Sequence, residues 1–335
     1  MEIGTSRAAG CNPPSRARRS GAVHGTPRSR RRRRASVESL ILADGRRLSF
    51  NRWPGDGDPL VIVHGLLDSA DGWTRLCERI SVPVIAFDLP GFGHSEAVGR
   101  GSINGYARDL AAALTMLGVE RFTLVGHSLG GGVASALAEL MPSQVSGLVL
   151  LAPAGFGKIQ LAEAASIPGV RRLVQSALPL LLSSPFAVTA GYRNMVTNGS
   201  APDREVVERV VKRGRELVAG AREGTRAVVD AGRGRDAFYR RRIGYEGPVF
   251  AVWGDCDRLV PVSHRHGLKT ALPQARIEVW YGMGHHPLSE RFDDLLALIT
   301  NSRGARSGTP QRRRAPASGL TFWSAPALAS ASPAG

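Results

Sequence analysis

The sequence predicts an α/β fold: a mainly parallel sheet of about eight strands, with helices on both faces and an inserted helical cap. Short, nearly continuous apolar runs alternate with segments of helical periodicity. Apolar strands of this kind are typical of parallel sheets that are buried on both faces. The alternation stops between about residues 154 and 247, where charged and apolar residues follow a helical pattern and no strand pattern occurs. That interruption predicts the cap.

The first predicted element is an antiparallel hairpin at the edge of the sheet. Its two strands, 39–43 and 48–53, flank Asp44-Gly45, a dipeptide that favours a tight turn. Further strands are predicted at 60–63, 82–87, 122–125, 145–151, 249–253 and 276–280. Helices are predicted at 103–117, 129–141, 262–272 and 287–300.

The positive charge of the chain is concentrated at its two ends. The whole sequence carries a formal charge of +16, but residues 1–36 hold ten arginines and one acid, and residues 303–335 hold five arginines and no acid. The remaining 29 basic and 27 acidic residues nearly balance. We therefore expect disordered tails at 1–36 and 303–335 around one domain at 37–302, and no specific nucleic-acid partner. Salt-sensitive nucleic-acid binding by the first tail remains an open alternative.

Composition also limits which cellular location and which cofactors the sequence predicts. The apolar run at 173–190 contains two prolines and several serines, which favours a buried or lid-forming helix over a membrane span. No apolar stretch follows the first arginines, so a cytoplasmic location is predicted. No pair among the three cysteines has metal-ligand spacing, and neither a metal nor an organic cofactor is expected.

The strongest local signal is Gly126-His127-Ser128-Leu129-Gly130. This G-x-S-x-G pattern lies directly between a predicted strand and a predicted helix, which is the context of a nucleophile elbow. The small residues that follow allow the helix to approach the sheet closely. We therefore predict that Ser128 is a nucleophile.

A serine hydroxyl needs a base and a group that orients the base. Two segments near the end of the chain supply candidates. Asp255 and Asp257 follow the predicted strand at 249–253, and His285 and His286 follow the strand at 276–280. Spacing alone leaves both pairs open.

These motifs together resemble the α/β-hydrolase superfamily, in its capped esterase and C–C hydrolase branch, over about residues 40–300. The resemblance rests on His64-Gly65, on residues 88–95 (DLPGFGHS), on the elbow, on Gly254-x-x-Asp257 and on Gly284-His285. It implies that Asp257 is the acid and His285 the base. The serine at the elbow argues against epoxide hydrolases and haloalkane dehalogenases, which use a carboxylate nucleophile.

The resemblance also implies an oxyanion hole formed by the backbone amides of Leu66 and Leu129. Among the neighbouring histidines, His64, His127 and His286 are predicted to contact substrate. His64 is at the same time expected to be mainly structural, and His127 to have only a minor lining role.

The expected activity is hydrolysis of a small or medium carboxylic ester, or a similar acyl substrate, through an acyl-enzyme. Three alternatives stay open: a C–C bond hydrolase of ring-cleavage products, a cofactor-free perhydrolase or acyltransferase, and a non-catalytic ligand-binding protein on the same fold. The only partner predicted is a small-molecule substrate, and the sequence leaves the oligomeric state undetermined.

Overall fold

The computed structural model describes residues 33–97, 101–160, 167–220, 238 and 241–304. The predicted tails lie almost entirely outside these residues, and so does part of the predicted cap.

Eight strands form one sheet in the spatial order β1-β2-β4-β3-β5-β6-β7-β8. Strands β1 and β2 pair antiparallel, β2 pairs antiparallel with β4, and all other neighbours are parallel. The predicted fold class and the antiparallel edge are therefore confirmed. The strands are β1 Ser36–Ile41, β2 Arg47–Trp53, β3 Leu60–Val63, β4 Val84–Phe87, β5 Phe122–His127, β6 Val145–Leu151, β7 Val249–Gly254 and β8 Arg276–Trp280.

Helices cover both faces of this sheet. Side chains alternate along the strands, so that Val61 and Val63 join one apolar core while Leu60 and Ile62 join the other. The helices, in chain order, are α1 Thr74–Cys77, α2 Ile103–Met116, α3 Leu129–Leu140, α4 Pro168–Leu182, α5 Pro185–Gly191, α6 Arg204–Gly220, α7 Arg265–Ala271, α8 Pro287–Glu290 and α9 Phe292–Gly304. Helices α2 and α3 supply the first core, and α1 and α9 supply the second.

Helices α4, α5 and α6, with a π-helical turn at Tyr192–Val196, stand between β6 and β7. They share a small apolar core that contains Val188, Val210 and Val211. Arg213 donates a hydrogen bond to the carbonyl oxygen of Gly91, so α6 is also tied to the loop after β4. These helices occupy the segment that the sequence assigned to the cap, and "the cap" refers to them below.

None of the described helices is by itself both long and apolar enough to cross a membrane. Two consecutive segments, Arg172–Leu182 and Pro185–Val196, reach that length and composition only together, and they are bent by 110° at their junction. The cytoplasmic location stays a prediction.

Close packing of α3 on the sheet depends on small residues. A Cβ atom at Gly130 would collide with the carbonyl oxygens of Val63 and His64 in β3 and the loop after it. Both obstacles are backbone atoms, which cannot rotate away. Gly130 is therefore required by the approach of α3 to β3.

We predict that Gly130→Ala lowers the free energy of unfolding by about 1–3 kcal/mol, because the extra methyl group forces the helix away from the strand. The matched control is Gly191→Ala, since Gly191 lies in a helix and a Cβ there would meet nothing within 4 Å. The control should raise stability by roughly 0.5–1 kcal/mol through helix propensity. Denaturant unfolding measures both, and equal effects of the two changes would contradict the packing argument.

Candidate active site

Ser128 lies at a sharp turn between β5 and α3, at the carboxyl edge of the sheet. Its backbone has φ 54° and ψ −118°, a conformation that residues with a side chain adopt rarely. Hydrogen bonds on both sides stabilise this conformation. The Ser128 amide donates to the Leu151 carbonyl at 2.9 Å, and the Ser128 carbonyl accepts from the Ala154 amide at 2.8 Å. The side chain is partly exposed at the tip of the turn.

The loop after β3 passes close to this serine. A Cβ atom at Gly65 would lie 3.3 Å from the Cβ of Ser128 and 3.0 Å from Nδ1 of His127. Only glycine leaves the neighbouring side chains in place at this distance. The next residue along the loop is Leu66, so its amide belongs to the segment nearest the serine.

The backbone amides of Leu66 and Leu129 are free donors. Neither forms a hydrogen bond with another group in the part of the chain that the structure describes. Leu129 is the first residue of the twelve-residue helix α3, and the N–H groups of a first helical turn carry partial positive charge. Both amides that the resemblance assigned to an oxyanion hole are therefore available to an acceptor.

His285 and Asp257 form a buried pair at the ends of the last two strands. His285 Nδ1 lies 2.7 Å from Asp257 Oδ2, and both side chains are almost wholly excluded from solvent. The other carboxylate oxygen accepts hydrogen bonds from the amides of Leu259 and Val260 at 2.9 and 2.8 Å. Asp257 is thus held on one side by its own loop and presents its second oxygen to the imidazole.

The two competing residues have other partners. Asp255 Oδ1 accepts a hydrogen bond from the Gly282 amide at 2.7 Å, so it stabilises the turn after β8. His286 Nδ1 lies 2.8 Å from the hydroxyl of Ser289. The structure therefore pairs Asp257, and not Asp255, with the imidazole of His285.

His127 contributes through its position beside that base. Its ring lies 4.9 Å from the ring of His285, centroid to centroid. His127 Nε2 is 2.8 Å from the His285 carbonyl oxygen, to which it donates. Since His127 directly precedes Ser128, this contact brings the serine turn and the His285 loop together. Burial holds the pKa of His127 well below its ordinary value, so the ring is neutral.

His64 corrects one prediction. Its side chain is completely buried, Nδ1 lies 2.7 Å from the carbonyl oxygen of Gly65, and Nε2 accepts a hydrogen bond from the Leu89 amide at 3.0 Å. Both ring nitrogens are engaged within the protein, which leaves none for a substrate. His64 instead ties the loop after β3 to the loop after β4.

Sequence reasoning missed Glu290 and Tyr192. Glu290 Oε2 accepts from the amides of Gly284 and Asn198 at 2.8 and 3.0 Å, and Oε1 accepts from the His286 amide at 3.1 Å. One carboxylate therefore fixes the loop that carries His285 and ties it to the cap. The Tyr192 ring lies 5.9 Å from the ring of His286. Neither residue belongs to a recognisable motif. The only signal in the sequence is that Glu290 falls in the first turn of a predicted helix.

The site contains no cluster of metal ligands. Among the residues that the structure describes, no three histidine, cysteine, aspartate or glutamate side chains are grouped so that they could hold an ion. The polar groups around Ser128 are the imidazoles of His127 and His286, the His285–Asp257 pair, and the free amides of Leu66 and Leu129. Such groups are suited to proton transfer and to stabilising an anion.

We predict that His286 makes stability depend on pH. Burial lowers its pKa from 6.5 to about 4, so the unfolded chain binds its proton at a higher pH than the folded chain. The contribution of neutral His286 is fully present above pH 6.5 and is lost as the pH falls towards 4, by up to about 3 kcal/mol. Denaturant unfolding of the wild type and of His286→Gln between pH 7 and 4 should give curves that converge on acidification. Parallel curves would contradict the shift.

Comparison with known proteins agrees with this architecture. Residues 58–185 match the family model of the alpha/beta hydrolase fold. An uncharacterized protein of Mycobacterium tuberculosis is 34% identical over 269 residues, which cover 75% of this chain and 77% of that protein. The acetyltransferase component of the acetoin cleaving system of Cupriavidus necator is 27% identical, covering 81% of this chain and 70% of its own length. The 2-hydroxy-6-oxo-6-phenylhexa-2,4-dienoate hydrolase of Comamonas testosteroni is also 27% identical, covering 73% and 87%.

Solved structures show the same fold. A bacterial membrane phospholipase A superposes with a TM-score of 0.66 at 25% identity, covering 82% of this chain and 87% of its own. A thermophilic esterase of Thermogutta terrifontis superposes with a TM-score of 0.63 at 22% identity, covering 81% and 98%. With the parallel sheet, the serine turn and the Asp257–His285 pair at its carboxyl edge, these similarities lead to one conclusion: the chain belongs to the α/β-hydrolase superfamily.

Proposed function

We propose that the protein is a serine hydrolase that cleaves a small or medium carboxylic ester through an acyl-enzyme. The observation that carries the proposal is the buried 2.7 Å contact between His285 Nδ1 and Asp257 Oδ2. It is supported by the hydrogen bond from His127, the neighbour of Ser128 on the strained strand-to-helix turn, to the His285 carbonyl. A carboxylate, an imidazole and a serine in this relation are the components of nucleophilic acyl transfer.

The first half of the proposed reaction forms the acyl-enzyme. Ser128 Oγ attacks the ester carbonyl carbon while His285 Nε2 accepts the hydroxyl proton. Asp257 stabilises the imidazolium that results and keeps Nδ1 protonated. The free amides of Leu66 and Leu129 donate to the oxygen that becomes negative. His285 then returns the proton to the departing alcohol as the carbon–oxygen bond breaks.

The second half releases the acid. A water molecule gives a proton to His285 and attacks the acyl carbon, and the proton passes to Ser128 Oγ when that bond breaks. No redox step or cofactor enters this sequence. The neighbouring rings help because they stay uncharged: burial lowers the pKa of both His127 and His286, so neither opposes a positive charge on His285.

The cap supplies one wall of the proposed substrate site. The carbonyl of Val196, at the end of the π-helical turn, accepts a hydrogen bond from the His285 amide at 2.6 Å. Tyr192, at the start of the same turn, contacts His286. The residues of this turn lie at the edge of the proposed site. Substrate choice is therefore expected to depend on them.

A second candidate function is hydrolysis of a carbon–carbon bond. It is favoured by the relative from Comamonas testosteroni, of which the alignment covers 87%. The same serine, base and acid would serve it. Turnover of a vinylogous diketone without turnover of simple esters would select this alternative, and the opposite preference would select ester hydrolysis.

We predict that a fluorophosphonate probe labels the protein once, on Ser128, because only an activated serine attacks phosphorus readily. Intact mass should show one adduct on the parent and none on Ser128→Ala. The matched control is Ser143→Ala, at an exposed turn, which should be labelled like the parent. Folded parent protein that fails to react would refute the proposed function.

We predict that the two neighbouring aspartates differ sharply in catalysis. Asp257→Asn should lower kcat by roughly 10³–10⁴-fold, because the amide cannot stabilise the imidazolium and selects the wrong tautomer. Asp255→Asn keeps a side-chain oxygen that can accept from the Gly282 amide, and it should change kcat by less than about tenfold. Steady-state ester hydrolysis measures both, and a larger loss for Asp255→Asn would overturn the assignment of the acid.

A further inference from the structure

The cap exposes a row of large apolar side chains. We name it the apolar cap face; it consists of Ile167, Val170, Leu173, Leu180, Leu181 and Phe186. Phe186 is 84% exposed, Leu173 67% and Leu180 64%. Isolated exposed apolar residues are ordinary, but several on one element indicate a surface that is covered in the working state.

Helix geometry places four of these residues on one side of α4. At about 100° per residue, Val170, Leu173, Leu180 and Leu181 fall within an arc of roughly 100°. Leu178 and Leu182 point elsewhere and pack against the main core and the core of the cap. The helix therefore has two apolar faces, and only one of them is used inside the described protein.

The bend between α4 and α5 concentrates this surface. The two segments meet at 110°, around Ser183 and Ser184. Leu180 and Leu181 precede the bend and Phe186 follows it. The result is an apolar tip at the bend between the two helices.

The charged residues of the segment that forms the tip all have the same sign. Residues 167–202 contain three arginines and no aspartate or glutamate. Arg172 and Arg193 are exposed at the two ends of the bent pair. A second copy of this chain docked on the same face would bring identical cations together, without a carboxylate in the segment to neutralise them.

We propose that the apolar cap face docks on the surface of an anionic lipid bilayer. Leu180, Leu181 and Phe186 enter the boundary between headgroups and acyl chains, while Arg172 and Arg193 contact lipid phosphates. Apolar side chains flanked by cations are the chemistry of interfacial binding.

The same segment reaches the candidate active site. Tyr192 and Val196 lie on the π-helical turn that directly follows α5, and they contact His286 and the His285 amide. Docking therefore leaves only the short helix α5 between the lipid surface and the wall of the site. If the proposed esterase function holds, an ester dissolved in the bilayer becomes an accessible substrate.

The test is co-sedimentation of the full chain with vesicles of phosphatidylcholine alone, or with an equal part of phosphatidylglycerol. We expect binding to the anionic vesicles. The double variant Leu181→Ser/Phe186→Ser should weaken it by at least about tenfold. Arg172→Gln/Arg193→Gln should weaken binding to anionic vesicles only. Met116→Ser, at a residue that is 58% exposed on α2, is the matched control and should bind like the parent.

All these variants keep the arginines of residues 1–36, so a loss of binding is assigned to the cap. Binding that is unchanged in Leu181→Ser/Phe186→Ser would overturn the proposal and assign any vesicle binding to charge elsewhere. A parent that elutes as a dimer, becomes a monomer in that variant and ignores vesicles would also overturn it, with a second copy as the occupant.

Two further measurements test whether the tip itself enters the lipid surface and whether docking is independent of catalysis. Phe186→Trp should show a blue shift of its emission on anionic vesicles and quenching by brominated acyl chains; neither change would be seen if the tip stayed in water. Ser128→Ala should bind vesicles like the parent, because docking needs no catalysis. Failure of docking is thereby distinguished from failure of the proposed hydrolase function.

Discussion

The left-handed backbone at Ser128 is the constraint on which the site depends. Such a conformation costs about 1–3 kcal/mol for a residue with a side chain. It persists because β6 and the loop after it fix the turn through hydrogen bonds to Leu151 and Ala154. The same turn forces α3 against β3, which only glycine at position 130 permits. The turn that exposes the serine is therefore also the turn that brings its helix close to the sheet.

The other parts of the candidate site come from loops that meet at the carboxyl edge of the sheet. A Cβ atom at Gly254 would collide with the carbonyl oxygens of Met283 and Gly284, so the loops after β7 and β8 are in direct contact. That contact brings Asp257 to His285. Glu290 fixes the second loop through the amides of Gly284 and His286, and His127 fixes the His285 carbonyl. The base is thus held through its backbone as well as through its ring.

The cap is attached to this network rather than resting loosely above it. The Asn198 amide shares Glu290 with the Gly284 amide, and the Val196 carbonyl accepts from His285. A movement of the cap would therefore also change the position of His285, the proposed base. The same part of the cap exposes Leu180 and Phe186. Only a few residues of chain therefore separate the proposed lipid contact from the residues proposed to do the chemistry.

The sequence by itself determined the order of strands and helices, because apolar periodicity is a local property, and it identified Ser128, because the glycines around it are needed by the turn itself. It left Asp255 or Asp257, and His285 or His286, open until a family resemblance chose between them, since adjacent candidates on a loop differ only in where they point. The tertiary structure decided that Asp257 faces His285, that both ring nitrogens of His64 are engaged inside the fold, and that Glu290 anchors the loop. It also decided which apolar face of α4 is buried, because periodicity shows that a helix has such faces but not which neighbour covers them.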